Sequence, residues 1–101
     1  MNLSQSEWTE KSANKDFVIL DVRTPEEFIE GHIHNSQLLD IRNPQDFMEG
    51  VNALDSSKTY FVYCRSGARS AQACQIFKLN GFDSCYNLLG GILEWQGEIN
   101  S

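Results

Sequence analysis

The chain has 101 residues, 41% hydrophobic and 22% charged, with a formal net charge of −6 at pH 7. That length suits one core, so residues 1–101 are expected to form one domain of the ordinary soluble globular class. The acidic balance, with no basic run or stripe, excludes nucleic acid as a partner, and no apolar stretch nears the ~18 residues that a membrane-spanning helix needs.

The opening Met1-Asn2-Leu3-Ser4-Gln5-Ser6-Glu7 lacks the basic and apolar regions of a secretory leader. Asn2-Leu3 reads as a brief edge strand. Ser4 or Ser6 caps the segment after it, and Glu7, three residues beyond Ser4, suits a capping box for a short helix over Gln5 to Ala13. Asn14-Lys15-Asp16 reads as a turn. Phe17-Val18-Ile19-Leu20-Asp21-Val22 is a continuous apolar run of strand length, the pattern of a parallel strand buried on both faces, with Asp21 interrupting it at the carboxyl end. Thr24-Pro25-Glu26-Glu27 then starts a helix, with Thr24 as N-cap, Pro25 at the first turn and Glu27 completing a capping box. Gly31 is expected to end that helix in the left-handed conformation.

Ser36-Gln37-Leu38-Leu39-Asp40 reads as another short strand. Asn43-Pro44 repeats the start signal, and Phe47, Met48, Val51 and Leu54 give the helix after it an apolar side. Tyr60-Phe61-Val62-Tyr63 is a short buried strand that delivers Cys64 to its carboxyl end. From Ser70 the pattern turns helical, with Ala71, Cys74 and Phe77 on one face, and Asn80-Gly81 stops the helix after about Leu79. Ser84 to Leu88 is the last predicted strand, Gly90-Gly91 a tight turn near the site, and Ile92 to Trp95 the start of a final short helix. Strands alternating with helices predict an α/β fold: an open, mostly parallel sheet of about five strands with helices on both faces. In such sheets the ligand site lies beyond the carboxyl ends of the strands, where Asp21 and Cys64 both fall.

The segment Cys64-Arg65-Ser66-Gly67-Ala68-Arg69-Ser70 carries the chemistry. A strand, a short loop and a helix start aim backbone N–H groups at one point, and here the target is a sulfur. The helix dipole, those amides, Arg65 and Arg69 are all expected to draw the proton from Cys64 and leave a thiolate near neutral pH. A solvent-accessible side chain is part of that reading, because a nucleophile sealed from solvent would not serve. The bland alternative is a buried structural thiol. Arg65 and Arg69 are read as binding an oxyanion, with a second option for Arg69 of folding back to brace the loop.

Asp21, Arg23 and Glu27 read as an ion-pair group tying the strand end to the next helix. His32 reads as a structural hydrogen-bonding residue and His34 as solvent-facing. Cys74 and Cys85 are most simply core residues, as Trp8 and Trp95 are packing residues. The three cysteines, at 64, 74 and 85, match no metal-ligand spacing and leave one unpaired in any disulfide scheme, so a reducing, cytoplasmic setting and no metal are expected.

Asp21-Val22-Arg23, Glu27, Gly31-His32-Ile33, the Cys64 to Ser70 loop, Gly81-Phe82, Gly90-Gly91 and Trp95 together resemble the rhodanese-like domain, in that family's order and spacing. Two departures are His34, where the family often has proline, and an end soon after Trp95, which shortens a final helix common in the family. The resemblance implies a sulfurtransferase, working without metal or organic cofactor. It would move sulfane sulfur from thiosulfate or another persulfide to a thiol, or to cyanide, through a persulfide on Cys64. Arg65, Ser66, Gly67, Ala68 and Arg69 would form the substrate cradle, supported by Asp21 and Arg23. A protein sulfur donor or acceptor is a further implied partner, and a carrier or interaction module with little activity on small donors is the alternative. A cysteine-dependent phosphatase or arsenate reductase is a weaker one. Phosphatases place five residues between cysteine and arginine, whereas four separate Cys64 from Arg69 here, a cradle sized for sulfur.

Overall fold

The computed structural model describes residues 2–12 and 17–101, so the turn expected at Asn14-Lys15-Asp16 lies outside the described residues. In chain order the elements are β1 (Asn2–Leu3), α1 (Gln5–Ser12), β2 (Phe17–Asp21), α2 (Pro25–Glu30), β3 (His32–Ile33), β4 (Ser36–Leu38), α3 (Pro44–Ala53), β5 (Thr59–Tyr63), α4 (Ala68–Leu79), β6 (Cys85–Leu88), a 3-10 turn (Ile92–Glu94) and β7 (Ile99–Asn100). Five strands form one parallel sheet in the order β1-β6-β5-β2-β4. This is the open parallel α/β sheet that the alternation of elements predicts.

The aromatic and β-branched run of β5 takes the central place, paired with β2 on one side and β6 on the other. Its period-two alternation divides the core. Tyr60, Val62 and Cys64 pack with Phe47 and Val51 of α3 and with Ala73, Cys74 and Phe77 of α4. Phe61 and Tyr63 face the other way, onto Trp8 of α1, Leu3, Ile33 and Leu88. Helices therefore cover both faces, and the parity of β5 puts Cys64 on the α3–α4 side.

Local chemistry sets the helix starts. The Glu27 N–H donates to Thr24 Oγ1 at 3.4 Å, and Glu27 Oε1 accepts from the Thr24 N–H at 3.1 Å, closing the predicted capping box. Ser4 and Glu7 make the same reciprocal pair, at 3.2 and 2.9 Å. The Asp46 N–H donates to Asn43 Oδ1 at 3.3 Å. Each cap satisfies N–H groups that have no partner within the helix.

Four features differ from the sequence reading. Gly31 is not left-handed: its φ of 164° and ψ of 136° are extended, because the chain leaves α2 directly into β3. β3 and β7 form a small antiparallel pair that the sequence pattern hides, since each is two residues long. β2 is sealed on both faces only toward its carboxyl end, because Phe17 is 36% exposed while Leu20 and Asp21 are buried. The final helix is reduced to the single 3-10 turn.

At the carboxyl ends of the strands a buried ion pair fastens the edge. Arg23 Nε and Nη2 donate to the two carboxylate oxygens of Asp21 at 2.9 and 2.6 Å, and Nη2 also donates to the Gly31 carbonyl at 2.6 Å. The Tyr63 hydroxyl donates to Asp21 Oδ2 at 2.8 Å and accepts from the Ile33 N–H at 3.0 Å. One carboxylate thus joins β2 and β5 to the residues that follow α2. Asp21 and Arg23 form an ion pair, as the sequence reading expects, whereas Glu27 pairs elsewhere. Removing one partner of a buried pair leaves an uncompensated charge, so Arg23→Ala is expected to cost about 3–5 kcal/mol in urea unfolding. An unchanged urea midpoint would contradict this role.

Candidate active site

Cys64 follows the last residue of β5, and α4 begins at Ala68, so only Cys64 to Gly67 bridge strand and helix. The turn is that tight because Gly67, the N-cap of α4, takes a φ of +109°, a conformation glycine adopts without steric cost. The bend brings the Gly67 N–H to 3.1 Å from Cys64 Sγ and the Ser70 hydroxyl to 3.3 Å. Burial pushes the Cys64 thiol up, but hydrogen bonds from the Ser70 hydroxyl and from the amides of Ser70, Gly67 and Ser66 outweigh it and hold the thiol below its ordinary range.

The downward pull on the Cys64 thiol comes from different groups from those the sequence suggests. The Arg69 guanidinium makes a two-pronged bridge to the Glu27 carboxylate, at 2.8 and 3.0 Å, and so ties the start of α4 to α2. Of the two roles open to Arg69, this is the brace. Arg65 is exposed, and its guanidinium has no ion pair among the described residues. Ser66 and Ala68 are also exposed at the rim.

The exposure expectation fails. Cys64 is only 1% exposed, because its sulfur turns inward to the amides and to Ser70 rather than outward between the arginines. A cleft of about 320 Å³ lies beside the loop, lined by Arg65, Glu27, Glu30, Ile92 and Leu93 among others.

Ser70 and Asn87 complete the arrangement, and the sequence reading missed both. The Asn87 side-chain NH2 donates to the Gly67 carbonyl at 3.2 Å and to Asn2 Oδ1 at 3.0 Å. A carbonyl only accepts, so the amide oxygen of Asn87 must face Ser70, whose hydroxyl contacts it. Ser70 has one proton and two acceptors, Asn87 Oδ1 and Cys64 Sγ. Negative charge on the sulfur draws that proton toward it. Ser70 was legible as the hydroxyl residue that closes the Cys64 to Ser70 segment, while nothing local marks an asparagine in β6.

Gly91 holds the other side. The Ile92 N–H donates to the Cys64 carbonyl at 3.0 Å and the Leu93 N–H to the Arg65 carbonyl at 3.1 Å. A methyl group at Gly91 would meet those two carbonyl oxygens at 2.6 and 2.4 Å, and its φ is +60°. The Gly90-Gly91 turn expected near the site is therefore the clamp on the cysteine peptide. His32 Nδ1 lies 3.0 Å from the Phe28 carbonyl, and its ring stacks on Phe28, a structural position as expected. His34 is half-exposed beside Glu98.

The model of the rhodanese-like domain matches residues 4–98. The chain belongs to the rhodanese-like domain family. A sulfurtransferase of Allochromatium vinosum is 34% identical over 82 residues, covering 80% of this chain and 73% of that protein. YqhL of Bacillus subtilis, itself uncharacterized, is 32% identical over 83 residues, which cover 82% of this chain but only 64% of YqhL. Among solved structures, a rhodanese-like domain protein of Staphylococcus aureus superposes with a TM-score of 0.81 at 28% identity, covering 96% of this chain and 92% of the other. No helix among the described residues is long and apolar enough to cross a membrane.

Two measurements check this rhodanese-like site. Ser70→Ala removes a donor to a charged acceptor, worth about 1.5 kcal/mol, and should raise the midpoint of the Cys64 Cβ chemical-shift titration by about one pH unit. An unmoved midpoint would remove Ser70 from the account. The Arg69 bridge holds the Glu27 carboxyl down at about 2, against an ordinary 4.5. A lowered carboxyl contributes stability that is complete above its ordinary range and lost as pH falls through its folded value. The Arg69 guanidinium signals should therefore stay immobile from pH 4.5 down toward about 2. Release near 4.5 would show that the bridge is absent.

Proposed function

We propose that this protein is a sulfurtransferase that carries sulfane sulfur as a persulfide on Cys64, with residues 1–101 acting as one catalytic domain. The observation that carries the reading is the set of N–H and O–H donors, from Gly67 and Ser70, converging on one sulfur at the start of α4. Family membership and the sulfurtransferase named among the relatives support it.

The first step requires the loop to expose the buried sulfur, and the Cys64 thiolate then attacks the outer sulfur of thiosulfate. The S–S bond of the donor breaks, sulfite leaves with the electron pair, and a Cys64 persulfide anion remains. In the second step an acceptor thiolate attacks the terminal sulfur, takes it as a new persulfide and returns Cys64 as thiolate. Cyanide in the same place leaves as thiocyanate. Negative charge resides on sulfur throughout, so preorganised donors stabilise each stage without a general base. Arg65, exposed beside the cleft and without an ion pair among the described residues, is the group to meet the anionic end of the donor, while Arg69 stays bound to Glu27 and keeps the loop in place.

The sealed resting sulfur favours a second reading, in which a partner protein's persulfide opens the loop and small donors react poorly. Incubation with thiosulfate followed by intact-mass measurement tests both. The proposed enzyme gains one sulfur atom, and Cys64→Ser gains none. Uptake from a persulfidated protein donor but not from thiosulfate would select the carrier. No uptake from any sulfane donor would overturn both.

A further inference from the structure

α4 packs on β6 along a seam with two rungs. Ser70 and Cys74 stand four residues apart on α4, and Asn87 and Cys85 two apart on β6, so each pair shares a face. The rung nearer the cradle is the Ser70–Asn87 contact beside Cys64. The other joins Cys74 and Cys85, both thiols, whose sulfurs lie 3.0 Å apart. That is about 1 Å longer than the ~2.05 Å of a disulfide bond, across two elements already packed together. The two residues are 8% and 7% exposed, and a cleft of about 210 Å³ reaches them between Lys78, Phe82, Asp83 and Tyr86.

The pair is polarised. The Cys85 thiol donates to Cys74 Sγ, a contact that lowers the Cys74 thiol, while the same contact together with burial raises Cys85. Cys74 is thus the sulfur that ionises first, and Cys85 the one that keeps its proton. Neither takes part in the chemistry proposed for Cys64, whose sulfur is engaged by Gly67 and Ser70.

We propose that Cys74 and Cys85 form a second, separate redox site, closing to a disulfide that staples α4 to β6 when the protein meets hydrogen peroxide. The Cys74 thiolate attacks one peroxide oxygen and the O–O bond breaks. Hydroxide leaves and takes a proton to become water, and Cys74 becomes a sulfenic acid. Cys85 then gives up its proton and attacks the Cys74 sulfur. The S–S bond forms, the S–O bond breaks, and a second water leaves. Two thiols are oxidised, one peroxide is reduced to two waters, and a thiol reductant reverses the change. Hydrogen peroxide is small enough to enter a cleft of this volume. The inference rests on this seam alone and stands whether or not Cys64 carries sulfur.

The test is peroxide treatment of the folded wild type and of Cys64→Ser, followed by alkylation of remaining thiols under denaturing conditions and peptide mapping without reductant. Both proteins should yield a peptide joining Cys74 to Cys85, lighter by two hydrogens than its reduced parts and separated again by dithiothreitol. Cys74→Ser and Cys85→Ser should yield none. The oxidised wild type should also unfold at a higher temperature than the reduced form, a reading that needs no variant. Sulfinic acid at either cysteine without a joined peptide, joining only after denaturation, or joining that requires Cys64 would each overturn the proposal.

Discussion

An anionic sulfur inside a protein is tolerable only where donors replace the water it has lost. In this chain the arrangement from β5 through α4 follows from that constraint. Cys64 sits at the end of the central strand, and Gly67 turns the backbone back within four residues so that amides point at the sulfur. Ser70 arrives one helical turn later with a hydroxyl. The donors belong mainly to the backbone, so their position is fixed by the fold rather than by flexible side chains, and no reorganisation is needed when charge develops on sulfur.

The rest of the carboxyl edge holds that loop still. Gly91 presses its backbone against the Cys64 and Arg65 carbonyls, a contact that any side chain would prevent. Arg69 reaches across to Glu27, and Asn87 reads the Gly67 carbonyl from β6. Beneath these, Asp21 ties Arg23 and Tyr63 into one network. Glu27, which the sequence pattern groups with Asp21 and Arg23, belongs instead to the loop. Its capping contact with Thr24 and its bridge to Arg69 use the same carboxylate, so the start of α2 and the start of α4 are set by one side chain.

Much of this was legible beforehand. Thr24-Pro25 with Glu27, the β-branched and aromatic run before Cys64, and Gly67 inside a short loop each encode local structure through mechanisms confined to a few residues. What stayed hidden depends on contacts between distant segments. β3 and β7 are too short to show a period, and Asn87 gains its meaning only when β6 lies beside the loop. The two arginines misled in part, because composition shows charge but not its partner: Arg69 is occupied by Glu27, and the sulfur turns away from both toward the backbone. Cys74 and Cys85 read as core residues and are core residues, yet nothing in their separation along the chain shows that their sulfurs touch.

The central claim is that hydrogen-bond donors, working against burial, hold the Cys64 thiol below its ordinary range. The most direct check is the ultraviolet thiolate absorbance of the wild type across pH, with the Cys64→Ser signal subtracted to isolate one sulfur. The account predicts a midpoint clearly below the ~8.5 of an ordinary cysteine. A midpoint at or above that value would show that burial prevails over the donors and that Cys64 is a structural thiol.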